Sequence, residues 1–147
     1  MKMSPLQRAK LNMQSGNSEV LPNKSAIKIL LAQDNELSRA VTAKSLQLLG
    51  HHFTIVSSGK EVIEKSRRDD FDLILMDVKE KDIDGIETTK QLKRIVNQKD
   101  IPVIIGLSSD EKKDKALCLQ AGMDDILGKP MHTDALEDKI NYWIIQE

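Results

Sequence analysis

Four polar residues each stand within two residues of the end of a short apolar run, the position at which parallel sheets carry their ligand-binding groups. They are Asp34, Asp77, Ser108 and Lys129. If the runs are parallel strands, their carboxyl ends meet at one edge of the sheet and the four side chains share one crevice. Two neighbouring carboxylates repel each other, and a divalent cation such as Mg²⁺ relieves that repulsion by binding their oxygens. The hydroxyl and the ammonium suit the oxygens of a phosphoryl group.

The simplest chemistry that uses all four residues is a phosphoryl group carried on one carboxylate. Asp77 is the better candidate for the phosphoacceptor, because the run before it, residues 73–76, is the most continuously apolar and should hold its end centrally. Taken singly, Asp34 and Ser108 could cap helices, and Lys129 could be an ordinary surface lysine. All four residues are predicted at the same edge of the sheet, which favours a functional site over four unrelated structural roles.

Hydrophobic periodicity predicts the elements that position these residues. Short apolar runs predict strands at residues 27–32, 53–56, 73–76, 103–107 and 125–127. Between them, helices are predicted at residues 37–49, 57–68, 86–96 and 111–121, and a last one from residue 133 onward. Strands that alternate with helices through short connections predict a parallel sheet covered on both faces.

Individual positions within these helices carry further expectations. The first helix is defined by the spacing of Leu37, Val41, Leu48 and Leu49. The third helix is expected to turn inward the side chains of Ile86, Leu92, Ile95 and Val96. Gly122 should end the fourth helix in a left-handed conformation, and Thr133 should cap the last one.

The sequence resembles the receiver domain of two-component response regulators. The stretches that carry the resemblance are ILLAQDN at residues 29–35, FDLILMD at 71–77, Asp84–Gly85, IPVIIGLS at 101–108 and AGMDDILGKP at 121–130. The resemblance implies a flavodoxin-like α/β fold for residues 27–147, with five parallel strands in the order 2-1-3-4-5 and five helices. Strands one and three are then neighbours, which brings Asp34 next to Asp77.

Roles for the site residues follow from the same resemblance. Asp77 would take a phosphoryl group from a phosphohistidine, and would bind Mg²⁺ together with Asp34 and the main-chain carbonyl of Lys79. Ser108 and Lys129 would contact the phosphoryl oxygens, and the bond between Lys129 and Pro130 would be cis. Such a domain catalyses its own aspartyl phosphorylation and dephosphorylation, and it is a signalling module rather than an enzyme with a separate substrate.

Two departures from the family pattern concern charge at the site. Gln33 stands where the family normally has an acid beside Asp34, so the metal site lacks one negative charge. Glu80 and Lys81 replace the usual Met-Pro, so this loop loses a stiffening proline and gains charge. The first departure leaves two interpretations open: retained phosphorylation, or a degenerate pseudo-receiver that binds proteins without phosphate.

Two further departures concern lifetime and switching. Lys79 and Asp110 occupy the positions that tune the lifetime of the phosphate in the family, and we expect Lys79 to pair with Asp110 or with the phosphate. Ile126 stands at the switch position, where an aromatic ring is common, so a ring-flip readout is excluded.

Composition limits the remaining possibilities. The 147 residues carry 22 basic and 23 acidic side chains, which gives a net charge of −1, and aromatic residues make up 3%. Residues 1–26 hold four basic residues and one acidic residue, and we interpret them as a flexible leader or linker. The acidic remainder has no basic stripe, so DNA binding is not expected. No apolar run is long enough to span a membrane, and a single cysteine, Cys118, suits the cytoplasm.

The partner expected from the resemblance is a histidine kinase or a histidine phosphotransfer protein. The length leaves a stand-alone receiver or the receiver of a hybrid kinase as alternatives, with no output domain after the last helix. An aspartyl phosphatase is disfavoured because Lys79 stands where that class needs a second acid. Cys118 is expected in the core, whereas His51 and His52 are expected in a turn exposed to solvent.

Overall fold

The computed structural model describes residues 26–145. The predicted leader lies outside this range except for its last residue, so the boundary at residue 27 remains a prediction. Within the described range, no helix is both long and apolar enough to cross a bilayer.

Strands and helices alternate along the described chain. The strands are β1 (Lys28–Ala32), β2 (His52–Val56), β3 (Leu73–Asp77), β4 (Val103–Ser108) and β5 (Asp125–Gly128). The helices are α1 (Glu36–Leu48), α2 (Gly59–Arg68), α3 (Gly85–Ile95), α4 (Glu111–Ala121) and α5 (Thr133–Trp143), with a 3-10 turn at Gln98–Asp100. Each predicted element is confirmed to within two residues.

The five strands form one parallel sheet in the order β2-β1-β3-β4-β5. This order confirms the flavodoxin-like fold class. All five residues of the central strand β3 are buried, as its unbroken apolar sequence predicted. Val62, Leu92 and Cys118 bring α2, α3 and α4 onto one face of the sheet, while Leu46 and Leu136 bring α1 and α5 onto the other.

The apolar spacing of two helices does not coincide with their buried faces. In α1 the buried residues are Thr42, Ser45 and Leu46, whereas Leu37 and Leu48 are 77% and 68% exposed. The helix therefore faces the sheet with Leu46 and two small polar side chains, while Leu37 and Leu48 point to solvent. The prediction that Ile95 lies on the inner side of α3 is also wrong, because α3 ends at this residue and its side chain is 53% exposed.

Helix ends follow local side-chain chemistry. The fourth helix ends as predicted at Gly122, where φ is +111°. Asn35 caps α1 by accepting a hydrogen bond from the amide of Ser38, so the alternative role of Asp34 as a cap is excluded. The predicted cap Thr133 is instead the first residue of α5, and its hydroxyl lies 2.8 Å from the Ser45 hydroxyl across the interface with α1.

One of the two neighbouring histidines contradicts its predicted exposure. His51 is buried, and its Nδ1 accepts a hydrogen bond of 3.1 Å from the amide of Ile27. Burial, reinforced by the charge of His52, lowers the pKa of His51 to about 4. His52 is exposed, as predicted, and Cys118 is fully buried in the core.

Candidate functional site

The sheet brings the sequence-predicted site residues together at its carboxyl edge. Asp77 and Ser108 are the last residues of β3 and β4, and Lys129 directly follows β5. Asp77 lies in register with Leu107, and the amide of Lys129 donates to the carbonyl of Ser108 at 2.7 Å. The peptide bond between Lys129 and Pro130 is cis, as expected.

Asp77 is a fully buried carboxylate that contacts two of the predicted partners. Its Oδ1 lies 2.7 Å from the ammonium of Lys129, and its Oδ2 accepts a hydrogen bond of 3.1 Å from the amide of Asp34. Burial raises the pKa of Asp77, and the hydrogen bond and charge of Lys129 offset only part of that rise. A buried acid with a shifted pKa and one defined cation is typical of a functional site.

Lys129 also contacts a residue to which the sequence assigned no role at the site. Its Nζ lies 2.8 Å from Oε1 of Glu80, so the ammonium is shared between two carboxylates. Burial alone would lower the pKa of Lys129, but the hydrogen bonds to Asp77 and Glu80 outweigh this effect and raise it. The sequence did show that Glu80 replaces the usual methionine, but it did not show that Glu80 contacts Lys129.

Asp34 and Gln33, from the loop after β1, also lie beside Asp77. Oδ2 of Asp34 accepts a hydrogen bond of 3.2 Å from the amide of Asp82. Gln33 is 1% exposed, its Nε2 lies 3.5 Å from Oδ1 of Asp77, and its Oε1 is buried with no hydrogen-bond partner in the described structure. An amide oxygen without a partner beside two carboxylates is a suitable ligand for a hard cation.

The oxygens that could hold a metal are therefore of mixed type. They come from the carboxylates of Asp34 and Asp77, the amide of Gln33 and the main-chain carbonyl of Lys79. Two main-chain hydrogen bonds close the turn after β3, and their acceptors are the carbonyls of Val78 and Ile83. The carbonyl of Lys79 takes part in neither of these two bonds. Among residues 26–145, no three His, Cys, Asp or Glu side chains form a cluster that could hold a metal, so such a site would depend on amide and main-chain oxygens.

Ser108 is held by the start of α4. Its hydroxyl donates a hydrogen bond of 2.6 Å to Oδ2 of Asp114 and accepts one of 2.9 Å from the amide of Asp110. Asp110, rather than Ser108, caps the helix by accepting from the amide of Lys113. Asp114 was missed at the sequence level, because an acid in the first turn of a helix is ordinary and does not point to a hydroxyl six residues earlier.

Lys79 does not pair with Asp110, contrary to one expectation. Its Nζ lies 3.1 Å from Oδ2 of Asp84, with which it also forms a β-bridge across the turn. Burial would raise the pKa of Asp84, but the amide of Glu87 and the ammonium of Lys79 lower it overall. The β-bridge holds the backbones of Lys79 and Asp84 side by side, so Lys79 forms its ion pair with Asp84.

The switch position lies at the edge of the core. Ile126 is 5% exposed and packs in the same apolar cluster as Met123. The neighbouring Asp125 accepts a hydrogen bond of 2.8 Å from the indole of Trp143 and contacts Lys139 at the same distance. Trp143 is thus partly buried on α5 and hydrogen-bonded to the first residue of β5.

A family comparison agrees with this geometry. The response regulator receiver domain family model matches residues 29–141. Among curated proteins, the chain is similar to the aerobic respiration control sensor protein ArcB of Escherichia coli (strain K12), with 32% identity over 123 residues. That match covers 83% of this chain but only 16% of the relative, so the chain spans a small part of the sensor protein that it matches.

Solved structures give the same result. The receiver domain of sensor histidine kinase PA1611 from Pseudomonas aeruginosa PAO1, with a magnesium ion coordinated in its active site cleft, is 33% identical with a TM-score of 0.74. The match covers 82% of this chain and 99% of that one. A second match, 26% identical with a TM-score of 0.73, comes from a co-crystal of the Saccharomyces cerevisiae phosphotransfer protein Ypd1 with the receiver domain of Ssk1. It covers 86% of this chain and 92% of that one.

Proposed function

Because the chain belongs to the response regulator receiver domain family of two-component signalling, we propose that Asp77 accepts a phosphoryl group from a phosphohistidine. The observation that carries the proposal is the buried carboxylate of Asp77, which lies 2.7 Å from the ammonium of Lys129 at the carboxyl edge of the sheet. This ion pair provides a nucleophile together with a cation for the negative charge of the incoming group.

In the proposed step, a carboxylate oxygen of Asp77 attacks the phosphorus of the phosphohistidine. A phosphorus–oxygen bond forms, the phosphorus–nitrogen bond breaks, and its electron pair returns to the imidazole nitrogen of the donor. Lys129 and Ser108 donate hydrogen bonds to the phosphoryl oxygens, which requires Ser108 to release Asp114. Hydrolysis by water later returns Asp77 to its free form, so the domain also removes its own phosphate.

Mg²⁺ fits the set of oxygens around Asp77. Asp34, Asp77, the main-chain carbonyl of Lys79 and the unpaired amide oxygen of Gln33 would hold it. When bound, the ion would neutralise charge on the phosphoryl oxygens. Gln33 supplies a neutral oxygen where the family has an acid, so we expect weaker binding of Mg²⁺ rather than none.

The phosphohistidine donor is a histidine kinase or a histidine phosphotransfer protein. To reach Asp77 it must cover the rim of the crevice, where a cleft of about 140 Å³ is lined by Leu37, Val41, Lys129 and Pro130 among others. Leu37 and Val41 are 77% and 44% exposed, and an exposed apolar rim beside a reactive group suits a protein partner. The Ypd1 co-crystal joins a receiver domain to such a partner. Phosphorylation then switches these contacts, and a cytoplasmic location is part of the same proposal.

The test is incubation with Mg²⁺ and a small acyl phosphate, followed by intact-mass measurement. We expect one phosphoryl adduct on the wild type and none on Asp77→Asn. Asp70→Asn is the matched control, because Asp70 is exposed and lies at the opposite end of β3. An adduct that persists in Asp77→Asn would refute the assignment of the phosphoacceptor.

A second candidate function rests on one observation, the neutral Gln33 at the usually acidic metal position. A pseudo-receiver would keep the fold and its binding rim but would work without phosphate. Absence of any adduct on the wild type at millimolar Mg²⁺ would favour this alternative.

A further inference from the structure

Glu80 is an acidic side chain placed against the ammonium that faces Asp77. Nζ of Lys129 lies 2.8 Å from Oε1 of Glu80 and 2.7 Å from Oδ1 of Asp77. The side chain of Lys129 is only 14% exposed, and that of Glu80 is 32% exposed. An ammonium has three N–H donors, so two of the three are engaged with carboxylates.

The position of this acid matters because the site lacks a negative charge at residue 33 and carries one at residue 80, against Lys129. Gln33 is neutral and contacts Asp77 directly, whereas Glu80 is acidic and contacts Lys129. A carboxylate at residue 33 would act on a cation held beside Asp34. A carboxylate at residue 80 acts on Lys129, which is the cation available to the phosphoryl group.

Phosphorylation would change what Lys129 must neutralise. A carboxylate carries one negative charge, whereas a phosphoryl group carries close to two and has three strong acceptor oxygens. The backbone of Glu80 is fixed in the turn, since its amide donates to the carbonyl of Ile83 at 2.8 Å. Its carboxylate therefore remains within reach of Lys129 when the new group arrives.

We propose that Glu80 competes with the phosphoryl group for Lys129 and thereby destabilises the phosphorylated state of Asp77. The inference rests on the proposed function and deepens it, because a destabilised phosphoaspartate more readily passes its phosphoryl group onward. Glu80 acts through Lys129 and is a positioning residue. Its effect opposes phosphoryl binding while leaving the metal oxygens in place.

The probe is beryllofluoride, a phosphoryl mimic that bonds to a carboxylate oxygen, titrated with Mg²⁺ into the full chain by calorimetry. Glu80→Gln and Glu80→Met both remove the charge but differ in hydrogen bonding. We expect each to bind beryllofluoride roughly threefold to tenfold more tightly than the wild type. Asp82→Asn, which removes an exposed acid of the same loop, should change the affinity less than about twofold, because its effect is only that of a screened surface charge.

A separate titration with Mg²⁺ alone distinguishes competition from a merely structural role. If Glu80 acts by competition, its loss should not tighten the binding of Mg²⁺, because the substitution removes a negative charge. If the substitutions instead disrupt the loop, the binding of both Mg²⁺ and beryllofluoride should weaken. Unchanged or weaker beryllofluoride binding in the two Glu80 variants, or no binding in any protein, would overturn the inference.

The outcome is independent of the mass experiment on the wild type. If the wild type forms an adduct but the Glu80 variants bind the mimic no better, only the inference fails. If the wild type forms no adduct but the variants bind the mimic more tightly, the proposed function fails for this chain, and only the competition between Glu80 and the bound mimic for Lys129 is supported.

Discussion

Asp77 and Lys129 form an ion pair in which burial disfavours the charged form of the acid. Asp77 is fully buried, and burial raises its pKa, so the folded chain disfavours the ionised form. Buried ion pairs are weak contributors to stability, because the cost of desolvation offsets their attraction. The two donors expected to face a phosphoryl group, Lys129 and Ser108, also contact the acids Glu80 and Asp114.

His51 gives a prediction at the residue scale for the dependence of stability on pH. Nδ1 of the neutral imidazole accepts a hydrogen bond from the amide of Ile27. Protonation of Nδ1 would turn this acceptor into a donor and break the hydrogen bond. Because the folded pKa of about 4 lies below the unfolded value of 6.5, this contribution is complete above pH 6.5 and is lost as the pH falls towards 4. At pH 4.5 the loss should be about 2 kcal/mol in the free energy of unfolding, measured with urea.

The matched variants are His51→Gln and the exposed His52→Gln. His51→Gln should lack this part of the pH dependence, whereas His52→Gln should retain it. Asp77, whose pKa is raised, changes stability in the opposite sense, but it is common to all three proteins and cancels in the comparison. An identical pH slope in the wild type and His51→Gln would contradict the prediction.

At the scale of elements, the approach of α3 to β3 fixes the geometry of the site. Gly85 is the first residue of α3, and a Cβ added there would collide with the main-chain carbonyl of Asp77. Neither backbone can move easily, since the amide of Gly85 donates to the carbonyl of Val78 at 2.9 Å. A glycine therefore allows the helix to begin directly beside the end of the strand.

Gly85→Ala should destabilise the fold by about 2–4 kcal/mol, because overpacking against backbone forces a shift of α3 or β3. Gly128→Ala is the control, because the atoms nearest to its added Cβ belong to the side chain of Glu111, which is exposed and can move away. Urea unfolding measures both variants. Equal losses of stability would mean that the contact with the Asp77 carbonyl is not the cause.

The elements also show where hydrophobic periodicity succeeds. Strand β3 and helix α4 were predicted closely, because an unbroken apolar run and a glycine stop are local signals. The buried face of α1 was not evident from its apolar spacing, because it consists of Thr42, Ser45 and Leu46, whereas Leu37 and Leu48 are exposed. A helix next to a binding rim can carry apolar residues that folding does not bury.

At the scale of the whole molecule, the apolar rim and the acidic crevice lie on the same end of the sheet. Leu37 lines the cleft beside Lys129 and is 77% exposed. Under the proposed function, we expect a protein donor to dock on Leu37, whereas a small phosphodonor does not depend on such docking. Leu37→Asp should therefore slow transfer from the phosphohistidine protein that modifies the wild type by roughly tenfold or more, as expected for an interface anchor. Its rate of phosphorylation by a small acyl phosphate should be unchanged.

Leu48→Asp is the matched control for this measurement. Leu48 is 68% exposed on the same helix, eleven residues and about 16 Å further along its axis. Transfer from the protein donor should be normal in this variant. Equal losses in Leu37→Asp and Leu48→Asp, or a parallel loss with the small donor, would argue against a docking role for the rim.

The sequence by itself determined the sheet, its order through the family resemblance, and the edge at which Asp34, Asp77, Ser108 and Lys129 meet. These follow from apolar runs and strand ends, which are local in the chain. Only the tertiary structure decided the side-chain partners: Lys79 pairs with Asp84, and Lys129 pairs with Glu80, 49 residues earlier. Long charged side chains choose partners by distances between loops, and these distances exist only once the strands are assembled.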